Sequence, residues 1–214
     1  MRSRFDEQLS LLNKKMIEMG ALCEELIAKV AKALLGGDVE TAKQAKAQGS
    51  EIDRMEREIE SICLKLLLQQ QPVARDLRVI SAALKMITDM ERIGDQAEDI
   101  AEIIPFLGGR TGAEFDDFSL MAQAACKMVT ESIDAYVNQD IELAKAVSEK
   151  DDIIDDAFRR MKSTLIKMIS ETDADGEYAI DLLMIAKYFE RIGDHATNIA
   201  EWVEFSVTGI HKGE

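Results

Sequence analysis

The chain has 214 residues, 47% of them apolar and 31% charged, with 41 acidic side chains against 26 basic ones and a formal net charge of −15. That much apolar side chain excludes a disordered chain, and the charge argues against binding nucleic acid or anionic membrane surfaces. No apolar run reaches spanning length, and Asp6 and Glu7 fall where a secretory signal would be apolar. The cysteines Cys23, Cys63 and Cys126 form no C-x-x-C pair, so neither a disulfide framework nor a thiolate zinc site is expected. The expectation is a soluble, cytoplasmic protein, without membrane insertion, whose thiols are reduced and buried.

Apolar residues recur at spacings of three and four from Phe5 through Leu12, Met19 and Leu26 to Ala33, which predicts one long amphipathic helix. Ser3 and Asp6 are placed to cap its start, and Gly36-Gly37 to stop it. Asp38 is placed to cap a second segment carrying Ala42, Ala45 and Ala47, with a break or kink expected at Gly49-Ser50. From Ser50 the pattern runs through Ile52, Met55, Ile59, Ile62 and Leu66 to about Gln71. Pro72 suits the first turn of a third helix, which carries Ala83, Met86, Met90, Ile93, Ala97, Ile100 and Ile104 and ends at Pro105. Residues 106–113, with three glycines, read as a linker. A helix over about 115–137 follows, then one over about 140–170, a polar turn at 172–176, and a last helix carrying Leu182, Ile185, Phe189, Ile192, Ala196, Ile199 and Val203. The fold class is all-α: six helices as two three-helix bundles, 1–107 and 108–214.

The two halves repeat each other. Phe5-Asp6 matches Phe115-Asp116, and Gly37-Asp38 before VETAK matches Gln139-Asp140 before IELAK. Residues 91–102 read ERIGDQAEDIAE and residues 190–201 read ERIGDHATNIAE. Nine of these twelve positions are identical, and shared core packing would account for Ile and Ala but not for Glu, Arg, Gly and Asp.

On the apolar register of the third helix, Glu91, Asp95, Glu98 and Glu102 fall at spacings of four, three and four, on the face away from the core, with Asp99 beside them. The second copy presents Glu190, Asp194, Thr197 and Glu201, with Asn198 in place of Asp99. Like charges one turn apart cost about 0.2–0.5 kcal/mol per pair, so the stripe is either a solvated face or a cation site. Carboxylates at this spacing can hold a hard cation if a second helix adds oxygens. Asp151 and Asp155 form such a pair in the second half; Asp53 matches Asp155, but Gly49 stands where Asp151 would be, so the first site is expected to be the less complete. Gly94 and Gly193 sit mid-helix, where a missing Cβ would admit the neighbouring helix. His195, the counterpart of Gln96, reads as a flanking or surface residue rather than a metal ligand.

Enzyme signatures are mostly absent. There is no phosphate-cradling glycine loop, and with only His195 and His211 there is little scope for histidine acid–base chemistry. A carboxylate-bridged di-metal bundle of the ferritin type, an oxidase or a storage protein, is the alternative. It would place Glu-x-x-His pairs in the core, but Ile192 and Thr208 precede the histidines by three. A metal-free helical scaffold is the other alternative.

Two copies of ERIGD with an A-x-x-I-A-E tail, closing two three-helix units, resemble the PhoU family, regulators of the bacterial phosphate-specific transport system. The resemblance extends over nearly the whole chain. It includes the stretch from Gln71 through Asp76 to Arg78 and the segment holding Asp151 and Asp155. It implies two three-helix bundles with multinuclear metal clusters, of iron, zinc, manganese or magnesium, bound through E/D-x-x-x-D motifs. These map to Glu91 and Asp95, to Glu190 and Asp194, to Asp151 and Asp155, and to Asp53 as half of a motif. Glu98, Asp99, Glu102, Asn198 and Glu201 are further oxygens on the same stripes. The resemblance also implies a homodimeric negative regulator, not an enzyme. It would couple the phosphate transporter ATPase subunit to a sensor histidine kinase, silence the phosphate regulon and restrain uptake.

Overall fold

The computed structural model describes residues 2–70, 73–171 and 175–210. Pro72, the turn residues 172–174 and His211 lie outside them. Six helices follow one another: α1 (Arg2–Gly36), α2 (Val39–Gln70), α3 (Ala74–Ile103), α4 (Asp116–Asn138), α5 (Ile141–Ile169) and α6 (Gly176–Thr208). No strand occurs among the described residues. Ser3 lies inside α1 rather than capping it.

The helix joints repeat with the sequence. Gly37 turns left-handed at φ 64°, and the Asp38 amide then closes back on the Ala33 carbonyl at 2.9 Å. In the second copy Gln139 takes the same conformation at φ 55°, and the Asp140 amide bonds the Ala135 carbonyl at 2.9 Å. Each aspartate then caps the next helix: Asp38 accepts from the Thr41 amide at 3.0 Å, and Asp140 from the Leu143 amide at 3.0 Å. Such a cap stabilises a helix by about 1 kcal/mol. The expected break at Gly49 does not occur, because α2 runs unbroken through it and buries it against α3.

The predicted apolar stripes are the core, with Ala47 an exposed exception. Within each half the three helices pack on one another. Between halves, α1 lies on α4 and α3 on α6, so the apolar interior is continuous from Leu12 to Val203. Gly20 permits the α1–α4 crossing, since a Cβ there would stand 2.9 Å from Ile133 Cγ1. The linker is ordered. Two short 3₁₀ turns, Ile104–Leu107 and Gly112–Glu114, flank Gly108 and Gly109. Arg110 stacks on Tyr178 at 3.6 Å and pairs with Asp175 at 2.6 Å, pinning the linker to the start of α6.

Candidate metal centre

The mid-helix glycines bring α2 to α3 and α5 to α6 in matching ways. A Cβ on Gly94 would stand 3.1 Å from Ile52 Cδ1, and one on Gly193 would stand 3.0 Å from Ile154 Cδ1. The close approach turns the predicted outward stripe into a flank. Glu91, Asp95 and Glu98 are half-buried and face α2 instead of open water. The reason is geometric: positions beside an apolar seam are covered when a glycine on their own helix lets the partner helix draw close.

In the first half Asp53, Glu91 and Asp95 converge, each offering a carboxylate oxygen with all three within 4.8 Å of one another. Burial, then the charge of Asp95, raises the Glu91 carboxyl above its ordinary range. Glu98 is raised by burial and then by Asp53 and Asp95. Glu56, three residues after Asp53, joins this acid group and is raised by burial, then by Glu60 and Asp53. Sequence reasoning passed over it; its spacing from Asp53 was the available signal. Arg92 rims the group, 3.0 Å from Asp95 and 3.5 Å from Glu91. It is largely exposed, where such pairs contribute about 0–1 kcal/mol.

In the second half Asp151 is the most perturbed carboxyl. Burial, then Asp194, Asp155 and Glu190, push its carboxyl up to about 6. Its Oδ1 and the Thr197 hydroxyl are buried without a hydrogen bond of full geometry, and Thr197 lies close enough to oppose the rise slightly. Asp194 is raised by burial and then by Glu190. Glu190 is turned toward Lys187, and Arg159 stands 4.0 Å from Asp155. The three-carboxylate convergence therefore lies in the first half, which the sequence had marked as the less complete.

The remaining stripe residues go elsewhere. Glu102 pairs with Lys46 of α2 at 2.5 Å. Asp99 lies toward α6, where Arg191 and Tyr188 sense its charge. Asn198 donates to Asp89 of α3 at 3.1 Å, and His195 Nδ1 meets the same oxygen at 2.9 Å. His195 thus spans the seam between halves. Glu201 lies half-buried on α6.

An orphaned buried carboxylate oxygen, a glycine cradle and donor sets made wholly of carboxylates fit a hard cation. Among the described residues only Asp53, Glu91 and Asp95 already bring their oxygens within 4.8 Å of one another. Glu98 is a neighbouring acid in the first half, and Asp151, Asp155, Glu190 and Asp194 would have to draw closer to hold a cation in the second. A groove of about 940 Å³ between α1 and α4, lined by Ala28, Leu35, Ala122 and Cys126, contains none of these residues.

Two stacked three-helix units bearing copied carboxylate sets define a helical, duplicated protein of one known class. The PhoU domain matches residues 16–104 and again 118–203. Phosphate-specific transport system accessory protein PhoU homologs from Clostridium acetobutylicum and Synechocystis sp. are 34% and 36% identical, each aligned over 97% of this chain and over 96% and 93% of theirs. The crystal structure of PhoU from Pseudomonas aeruginosa is 31% identical, with a TM-score of 0.89 over 96% of this chain and all of that one. The phosphate transport system regulatory protein PhoU from Streptococcus pneumoniae, at 24% identity, shares the fold with a TM-score of 0.90. The chain belongs to the PhoU family.

Proposed function

We propose that this chain is a regulatory accessory protein of a phosphate transport system, a negative regulator of the phosphate regulon and of phosphate uptake. It acts in the cytoplasm as a metal-binding adaptor between the transporter ATPase subunit and a sensor histidine kinase. The observation that carries the regulatory role is the match to PhoU accessory proteins along almost the whole chain. Those relatives are named as accessory proteins, which favours an adaptor over a catalyst. Among the described residues, no helix is long and apolar enough to cross a membrane.

The acid sets support the metal part of the reading. A bound cation would neutralise carboxylates that otherwise repel one another across two helices. The residues' own contribution is positional: Asp53 and Asp155 on the middle helices, facing Glu91, Asp95, Glu190 and Asp194 on the third. Held together, α2–α3 and α5–α6 would present fixed outer faces to partners. A ferritin-type centre draws no support, since the sets contain no histidine and His195 is engaged with Asp89.

Metal analysis of protein purified without chelator, compared with a Glu190→Ala, Asp194→Ala variant, tests the site; equal metal content would overturn it. Pull-downs with the phosphate transporter ATPase and with the kinase test the adaptor role, and capture of neither would refute it. Size-exclusion chromatography with light scattering tests the homodimer.

A further inference from the structure

Resting on the cation reading of the acid sets, we infer that Glu98 supplies in the first half the carboxylate that Asp151 supplies in the second. Both halves then offer four acid side chains to a hard, oxygen-loving cation, but the fourth comes from opposite helices.

Three donors correspond directly between the repeats: Asp53 to Asp155, Glu91 to Glu190 and Asp95 to Asp194. The other two positions are exchanged. Where the second half has Asp151 on α5 and Thr197 on α6, the first has Gly49 on α2 and Glu98 on α3. A Cβ built on Gly49 would fall 1.4 Å from Glu98 Oε1 and 2.3 Å from its Cδ. The Glu98 carboxylate therefore fills the volume that a side chain at 49 would take. In the second half the acid reaches the other way, and Asp151 Oδ1 lies 2.6 Å from where a Cβ on Gly193 would stand.

Each place has room for one carboxylate. Asp at 49 beside an unmoved Glu98 would collide, and Gly at 49 facing Thr would leave the first half an acid short. Glu98 also sits among like charges. Asp53 and Asp95 both raise its carboxyl, while the basic side chain that acts on it, Lys46, is paired with Glu102. A side chain serving only solvation has no reason to fold onto a buried glycine in the field of two other carboxylates. A shared cation supplies one.

The test uses the full-length chain and Mn(II), with free ion followed by electron paramagnetic resonance. Glu190→Ala, Asp194→Ala silences the second half and isolates the first. In that background Glu98→Gln should weaken Mn(II) binding by about tenfold or more, since even outer-shell changes at metal sites cost about 10–100-fold. Adding Gly49→Asp with Glu98→Thr, which installs the second half's arrangement, should restore binding. Far-UV circular dichroism and the melting midpoint without metal verify that each variant is folded. Unchanged Mn(II) affinity in folded Glu98→Gln overturns the role of Glu98 and leaves the cation reading standing. Failure of the unmodified chain to bind Mn(II) overturns that reading, and this one with it.

Discussion

Asp89 of α3 accepts two contacts from α6 on a single oxygen, from His195 Nδ1 at 2.9 Å and from Asn198 Nδ2 at 3.1 Å. Both members of the Asp89–His195 pair are mostly buried, at 14% and 18% side-chain exposure. A hydrogen bond contributes about 0.5–1.5 kcal/mol net. Asp89→Ala should therefore destabilise the protein by about 1–3 kcal/mol in urea unfolding. A double-mutant cycle with His195→Ala should show coupling of about 0.5–3 kcal/mol. Strict additivity would mean the seam contact contributes nothing.

The Asp151 carboxyl, near 3.8 in an unstructured chain and about 6 when folded, sets a pH dependence. The folded state keeps a proton that the unfolded state releases, so stability falls as pH rises between these values and stays lowered above them. Asp151→Asn, in the presence of chelator, should melt higher than the parent at pH 7.5 and match it near pH 3. Added Mn(II) should raise the parent's melting point and leave the variant's closer to its metal-free value. Identical pH profiles would show that Asp151 carries no penalty.

Gln139 adopts the left-handed turn that Gly37 adopts in the first half, a conformation costing a non-glycine residue about 1–2 kcal/mol. Gln139→Gly should stabilise by about 0.5–1 kcal/mol, the remainder offset by the extra freedom of glycine in the unfolded chain. Gly37→Ala should do the opposite, since its Cβ would also meet Thr111 Cγ2 at 3.1 Å. Chemical denaturation reads both changes, and matching signs would refute the strain at 139.

The two interhelical glycines should respond unequally. Alanine gains about 1 kcal/mol of helix propensity at either position. At Gly94 it meets only Ile52 side-chain carbons, at 3.1 Å and beyond. At Gly193 it collides with Asp151 Oδ1 at 2.6 Å as well as Ile154 Cδ1 at 3.0 Å. Gly193→Ala should lower the melting point and displace Asp151, whereas Gly94→Ala should be close to neutral. The reverse ranking would contradict the packing at these crossings.

Much of this was legible in the sequence because helical periodicity and the duplication report on the same faces. The stripes through Met86, Met90 and Ile93 and through Ile185, Phe189 and Ile192 are the buried ones, and Asp38 caps as its position suggests, a role its copy Asp140 repeats. What a linear register cannot give is the distance between helices. It placed Glu91 and Asp95 on an outer face, although Gly94 already marked where a neighbouring helix could come close, because it could not show how far α2 would cover them. For the same reason Gly49 looked like a helix break, when α2 runs through it and Glu98 lies in the hollow it leaves. Asp89 carried no local signal at all, since its partners lie more than a hundred residues away.

The uninterrupted interior running from α1 and α3 into α4 and α6 has a consequence for how the molecule comes apart. Two copies of one ancestral unit would be expected to melt as separate beads on a string. Here neither copy can open without stripping apolar side chains from the other, so the whole chain should behave as a single cooperative unit. Cleaving it at Gly108-Gly109 should yield fragments that stay associated rather than two self-sufficient halves. The duplication records how the sequence arose, whereas the shared interior decides what folds.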